Sequence, residues 1–447
     1  MGRIFGTDGV RGEANVDLTP ELALSIGRAL VTVLDEEGVT RPSILIGRDP
    51  RWSGEMLEAA LIAGLTSAGG DAVSVDVMPT PGVAHLTATS SAAAGVMISA
   101  SHNPVGDNGI KIFGPDGFKL TDDEEARLEQ LIEADEGRRV TGMAVGRRLR
   151  DAAAVSRYVQ HLVSITDVDL TGLRVVVDGA NGAASQVAPQ VYRHLGAEVI
   201  TINCEPDGSN INEEAGSTYP DVICQAVIDH SADAGISHDG DADRLIAATH
   251  QGAEVDGDVI LAILAQRMHV LGSLAQDTVV TTVMTNLGFR HAMHGLGVDV
   301  VETQVGDRHV LEAMRAGGYN LGGEQSGHVI LLEHATTGDG VLTAVRLLTA
   351  VRRTGESLED LARVMTRLPQ VLVNVPDVDR SRLDDADKVW AAVADEEERL
   401  GDGGRVLVRP SGTEPVVRVM VEAATTEDAE QTAERIAGLV TSELTVV

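Results

Sequence analysis

Arg174–Asp178 reads RVVVD, a short valine-rich run closed by a carboxylate and followed at once by Gly179. A surface strand would alternate apolar with polar residues. An unbroken run of this length is instead the mark of a strand buried on both faces, as in a parallel sheet. Ser43–Gly47 (SILIG) and Thr278–Met284 (TVVTTVM) are of the same kind. Through about the first 365 residues such runs alternate with helical patterns and glycine turns, which predicts α/β units with largely parallel sheets. Thr19 before Pro20 gives an N-cap and first-turn pair opening a helix over Glu21–Leu34. Thr121 with Glu124 gives a capping box for an acidic helix to about Ala134, whose charge run reads as a solvated face.

Three such units can be separated: residues 1–154, closed by the polar, arginine-rich Gly137–Arg150, then 155–257 and 258–367. Beyond Leu368 the pattern changes to paired strands, Arg405–Arg409 and Val416–Ala423, with helices such as Glu427–Leu439. The expected fold is therefore α/β: three similar mixed α/β domains plus a smaller C-terminal α+β domain over 368–447. A chain of 447 residues is long enough for that many cores.

Charge narrows the partners. The formal net charge is −33, so the surface repels nucleic acid and anionic lipid, and neither is an expected ligand. A phosphorylated substrate would be repelled too, unless basic groups concentrate locally. Of the 35 basic residues only Lys111, Lys119 and Lys388 are lysines, and the first two lie close together after a serine-rich loop. No apolar stretch approaches the roughly 18 residues of a membrane span, and Met1–Gly12 lacks the apolar core of a signal peptide. Cytoplasmic placement is the expectation. Cys204 and Cys224 form neither a disulfide framework nor a metal cluster.

Four stretches carry chemistry. Ser99-Ala100-Ser101-His102-Asn103-Pro104, followed by Gly109-Ile110-Lys111-Ile112, sets a serine beside histidine on an Asn-Pro turn, as a nucleophile or phosphate carrier would be set; a polar turn is the competing reading. Asp239-Gly240-Asp241-Ala242-Asp243-Arg244 spaces three carboxylates so that they can converge on a hard cation. An EF-hand fails here, because its glycine position holds Arg244 and its glutamate position holds His250; Mg²⁺ fits better. Arg244 favours an anion beside the metal, and a solvated acidic turn is the alternative. Gly322–His328 (GGEQSGH) allows close approach of a ligand, with Glu324 and Ser326 able to read sugar hydroxyls. Arg409–Pro415 (RPSGTEP), with Arg418 on the next strand, has the hydroxyls, glycine amide and arginines of a phosphate cradle, or of an ordinary hairpin.

Together with Phe5–Gly12 (FGTDGVRG) and Gly47–Arg51 (GRDPR), these motifs occur in an order that resembles the α-D-phosphohexomutases over essentially the whole chain. Gly322–His328, Thr336–Gly340 (TTGDG) and Gly306-Asp307-Arg308 favour the branch acting on glucosamine phosphate over phosphomannomutase- or phosphoglucomutase-type relatives. The resemblance implies four domains around a central cleft. It makes Ser101 the phosphoserine, with Ser101, Asp239, Asp241 and Asp243 holding Mg²⁺. Arg11 and Lys111 would flank the reacting phosphoryl group. Arg244, Glu324, Ser326 and His328 would contact the substrate, and Arg409, Ser411, Gly412, Thr413 and Arg418 would hold the distal phosphate. Proton transfer is left among Lys111, His102 and His328. A sugar 1,6-bisphosphate intermediate and activator, a homodimer, and supply of precursors for UDP-N-acetylglucosamine and cell wall follow from the same resemblance. Two departures are His238, where the family usually carries an aromatic residue, and His309, where tyrosine is common. A metal-dependent phosphatase or kinase, and a silent phosphosugar-binding protein, are the alternatives from other classes.

Overall fold

The computed structural model describes residues 4–6, 8–411 and 416–445. They form two compact units: residues 1–284 with 298–364, and residues 285–297 with 365–447.

The larger unit contains three mixed sheets. The first orders its strands Val10–Glu13, Asp107–Phe113, Ala94–Ile98, Ser43–Arg48, Asp71–Val77 and Arg148–Arg150. The second runs Glu254–Val255, Ile246–Thr249, Ala234–Ser237, Arg174–Asp178 and Glu198–Ile202; the third Asp299–Thr303, Thr278–Thr282, Leu321–Gly323 and Val329–Leu331. The RVVVD run lies between two parallel neighbours with its three valines fully buried, as its unbroken pattern demanded.

The predicted helix ends move by a few residues. The Thr19-capped helix is Pro20–Glu36, with Thr19 Oγ1 accepting the Leu22 amide. The acidic helix is Asp122–Ala134, and its capping box forms as expected. Thr278–Met284 ends as a strand at Thr282. In the first domain the helices Pro20–Glu36 and Trp52–Ala68 meet through Gly27 and Gly64: a Cβ on Gly64 would stand 2.1 Å from the Leu24 carbonyl oxygen. Only glycine permits backbones to approach so closely.

The three sheets share one device. In each, a strand leaves a parallel neighbour and returns as an antiparallel hairpin: Ala94–Ile98 into Asp107–Phe113, Ala234–Ser237 into Ile246–Thr249, and Leu321–Gly323 into Val329–Leu331. The hairpin loops carry Ser101, Asp239–Arg244 and Glu324–His328 respectively. Each therefore sits at the carboxyl end of a parallel strand, where open α/β sheets bind ligands.

The smaller unit holds the three antiparallel strands Gln370–Pro376, Val416–Glu422 and Arg405–Pro410 under the helices Asp387–Leu400 and Thr426–Leu444. Residues 285–297, which fall within the third domain in sequence, cluster here. Asn286 exchanges two hydrogen bonds with the Leu368 backbone, both at 3.0 Å, and the Leu287 amide donates to Glu422 Oε2 at 3.0 Å.

Candidate active site

The Ser101 loop is built around a buried arginine. Arg51 is fully buried and pairs with Asp49, Nε to Oδ2, at 2.8 Å. Its guanidinium then donates to four carbonyl oxygens of the loop: Ser101 at 3.0 Å, Asn103 at 2.8 Å, Asp107 at 3.1 Å, and Pro104. Ser99 Oγ donates to Asp49 at 2.6 Å and accepts the Ser101 amide at 3.0 Å. This scaffold holds Ser101 at φ +54°, a left-handed conformation that costs a serine on the order of 1–2 kcal/mol. Asn212, from the second domain, also donates to the Ser101 and Asn103 carbonyls, at 2.9 and 3.1 Å.

The acidic loop comes to meet it. Ser101 Oγ donates to Asp239 Oδ2 at 2.5 Å, and a Cβ on Gly240 would lie 2.5 Å from the Ser101 carbonyl oxygen. The motif's glycine is therefore required by the serine loop packed against it. Asp241 Oδ2 accepts Thr80 Oγ1 at 2.6 Å and Lys111 Nζ at 3.0 Å. Asp239, Asp241 and Asp243 are all buried and each offers an oxygen within 4.8 Å of the others. Asp241 Oδ1 and Asp243 Oδ1 make no hydrogen bond among the described residues. Burial with Asp243 and Asp241 alongside pushes Asp239 up to about 8. Converging hard oxygens, two of them unbonded, in a field that resists further negative charge suit a divalent cation such as Mg²⁺.

His238 closes the base of this loop. It is fully buried, with Nδ1 3.1 Å from the Arg244 carbonyl oxygen and Nε2 3.1 Å from Tyr192 Oη. Desolvation lowers its pKa to about 4, so it is a neutral ring bridging two polar partners.

Cations surround the carboxylates. Lys111 Nζ lies 3.0 Å from Asp241, 3.1 Å from Asp8 and 3.6 Å from Asp243. Burial opposes its charge, yet Asp241, Asp8 and Asp243 outweigh that and raise its pKa, so it stays an ammonium. Arg11 pairs with Asp8. Arg244 Nε approaches Asp243 Oδ1 at 3.7 Å. His102 Nδ1 is 3.4 Å from Ser101 Oγ; burial, then Arg244 and Arg11, lower its pKa to about 4. His328 receives the Gly338 amide on Nε2 at 3.1 Å, which puts its single ring proton on Nδ1, 3.6 Å from Asp243. Burial favours this neutral ring, while Asp243, Asp307 and Glu324 pull its pKa upward; taking a second proton would cost the Gly338 hydrogen bond.

Glu324 Oε1 accepts the Gly306 amide at 3.1 Å, and Ser326 Oγ is buried with no hydrogen-bond partner among the described residues. Ser101, Arg11, His102, Lys111, Asp239, Asp241, Asp243, Arg244 and His328 are thus brought together. Within the smaller unit, Arg409 stands directly opposite Arg418, and Ser411 is buried with its amide on the Val416 carbonyl at 2.9 Å. Gly412 and Thr413 lie outside the described residues. Asp8, Asp49, Arg51, Thr80, Asn212, Lys119 and Asp307 were not read from sequence as site residues. The FGTDGVRG and GRDPR motifs, the lysine pair and Gly306-Asp307-Arg308 carry the signals for five of them.

Profiles of the phosphoglucomutase/phosphomannomutase family match all four domains: alpha/beta/alpha domain I over residues 2–139, domain II over 156–252, domain III over 256–368 and the C-terminal domain over 372–439. A phosphoglucosamine mutase of Nocardia farcinica is 56% identical, covering 99% of this chain and 100% of its own length. Among solved structures, a phosphoglucomutase/phosphomannomutase family protein of Burkholderia thailandensis matches with a TM-score of 0.83 at 24% identity, over 99% of this chain and 97% of that one. The Aspergillus fumigatus N-acetylphosphoglucosamine mutase, solved with GlcNAc-6P and magnesium, matches at 0.69 and 19%, over 98% and 95%.

Proposed function

We propose, from the premise that this chain belongs to the phosphoglucomutase/phosphomannomutase family, that it is an isomerase interconverting glucosamine 6-phosphate and glucosamine 1-phosphate in the cytoplasm. The observation that carries the chemistry is the 2.5 Å contact of Ser101 Oγ with Asp239, inside the three-carboxylate cluster and beside Lys111. Full-length identity to phosphoglucosamine mutases supports the sugar. In this reading the four domains are residues 1–154, 155–257, 258–367 and 368–447, with one functional motif in each.

In the forward half-reaction the C1 hydroxyl of glucosamine 6-phosphate attacks the phosphorus on phospho-Ser101. The P–Oγ bond breaks, Oγ regains a proton, and a 1,6-bisphosphate results. After the sugar turns end for end, Oγ attacks the 6-phosphoryl group and glucosamine 1-phosphate leaves. Asp239, Asp241, Asp243 and the phosphorylated Ser101 would hold Mg²⁺, which supplies positive charge against the transferring group. Lys111 and Arg11 add fixed charge from the protein's side, already oriented and desolvated. His102 is the ring nitrogen nearest Oγ and carries its proton. Glu324, Ser326, His328 and Arg244 bind the sugar and its anion. Arg409, Ser411, Gly412, Thr413 and Arg418 take the distal phosphate, at whichever end of the hexose it stands.

A coupled assay against glucosamine, glucose and mannose 6-phosphates, with the matching bisphosphate as primer, tests this. Glucosamine phosphate should give the highest kcat/KM with no net release of phosphate. A clear preference for glucose or mannose phosphate removes the substrate assignment, and stoichiometric phosphate release removes the mutase.

A further inference from the structure

One lysine at the centre of the larger unit has no part in the chemistry above. Lys119 Nζ donates to Asp8 Oδ1 and, at 2.6 Å, to Asp307 Oδ2; these partners are 111 and 188 residues away in sequence. Each carboxylate leads onward. Asp8 Oδ2 faces Lys111 Nζ at 3.1 Å and accepts from Arg11, the two cations aimed at the reacting phosphoryl group. Asp307 opens the helix Asp307–Gly317 directly after Gly306, whose amide holds Glu324 Oε1; its Oδ2 also lies 3.7 Å from His328 Nε2. A single ammonium thus joins the cationic centre of the first domain to the sugar-reading hairpin of the third. Burial opposes its charge, yet Asp307 and Asp8 outweigh burial and keep Lys119 protonated. Without it, two carboxylates would face each other in a largely desolvated space, and one of the loops would have to move.

We propose that Lys119 is a positioning residue that sets the sugar-reading hairpin, Glu324 to His328, in register with the phosphoryl-transfer centre. This rests on the mutase reading and adds to it the part that aligns the sugar with the phosphoserine. A second staple runs alongside: Arg308, next to Asp307, donates to Asp122 and, at 2.9 Å, to Glu125 on the helix Asp122–Ala134. Losing Lys119 therefore loosens the hairpin while the two domains stay joined.

The test is Lys119→Met in the full chain. Hydrogen exchange without any sugar should accelerate by about tenfold or more at residues 303–309 and 323–328, with the strand Ala94–Ile98 unchanged. Transfer to glucosamine phosphate should fall roughly a hundredfold in kcat/KM, as for a displacement of about 1 Å. Loss of phosphate from phospho-Ser101 to water, which needs no sugar alignment, should keep its rate. Lys119→Arg, which retains the charge, should recover most of the loss. Unchanged exchange in the hairpin overturns the proposal, as does an equal fall in transfer to sugar and to water. If Lys119→Met does not fold, Asp307→Asn reads the same two signals. Were the wild type inactive on glucosamine phosphates, the mutase reading would fail and the exchange measurement would still decide the role of Lys119.

Discussion

Two clusters of like charge stand in this protein, and they have opposite signs. In the larger unit Asp239, Asp241 and Asp243 crowd buried carboxylates together, only partly offset by Lys111. In the smaller unit Arg409 faces Arg418 across the strands Arg405–Pro410 and Val416–Glu422, where burial and then Arg418 lower the Arg409 pKa. The far end of the same ladder shows what these strands do when no ligand is intended: Arg405 opposes Glu422 and pairs with it at 2.7 Å. Like charges directly opposite each other destabilise a ladder, by roughly 0.2–1 kcal/mol on the scale of cross-strand pairs. Each cluster gathers like charge that a counter-ion would neutralise: a divalent cation at one, a phosphate at the other. The contrast teaches that a binding site can be legible as like charge gathered at one place on a ladder that sets opposite charges face to face at its other end.

The largest effect expected is at the covalent centre. Ser101→Ala should lower turnover by at least about four orders of magnitude, the scale of losing a nucleophile, with bisphosphate present; near-normal turnover would leave the carboxylate cluster without a phosphoryl partner. Next comes the cation. At about a hundredfold excess over its Kd, Mg²⁺ should stabilise the folded protein by about 2.7 kcal/mol, read by urea unfolding with and without a chelator. Asp241→Asn should shrink that gain, and an equal gain in the variant would separate the triad from the metal. The smallest effect sharpens the arginine side. Arg409→Gln should raise the KM for the sugar phosphate roughly tenfold to a hundredfold, the weight of one hydrogen bond to a charged group. It should also slow hydrogen exchange in its own ladder slightly, because a like-charge pair is gone. Faster exchange there would mean that Arg409 supports the strands and stores no repulsion.

The parts legible in sequence were those whose meaning is local. RVVVD announced a buried strand because burial on both faces leaves no polar position, and Thr121 with Glu124 announced a capped helix because both partners lie within one turn. Ser101 and the three aspartates stood out because each motif is contiguous. What sequence could not convey was the joining of distant pieces. Arg51 reads as one more charge in GRDPR, and only the fold shows it holding four carbonyls of a loop some fifty residues away. Lys119 and Asp307 fell in stretches already noticed, yet an ion pair across 188 residues leaves no periodicity to detect. Residues 285–297 sort with the C-terminal unit through side chains of Asn286 and Glu422 that no propensity anticipates.

Asn212, gripping the carbonyls of Ser101 and Asn103 from another domain, also sets an order of events on the ribosome. The serine leaves the exit tunnel 111 residues ahead of that anchor, an interval of about 5–20 s at ordinary rates of synthesis. During that time the first sheet can fold, but the loop at its rim lacks one of its fastenings, and the acidic hairpin that will face it has yet to be translated. Competence to accept phosphate is in this way postponed until the nascent second domain has closed over the loop.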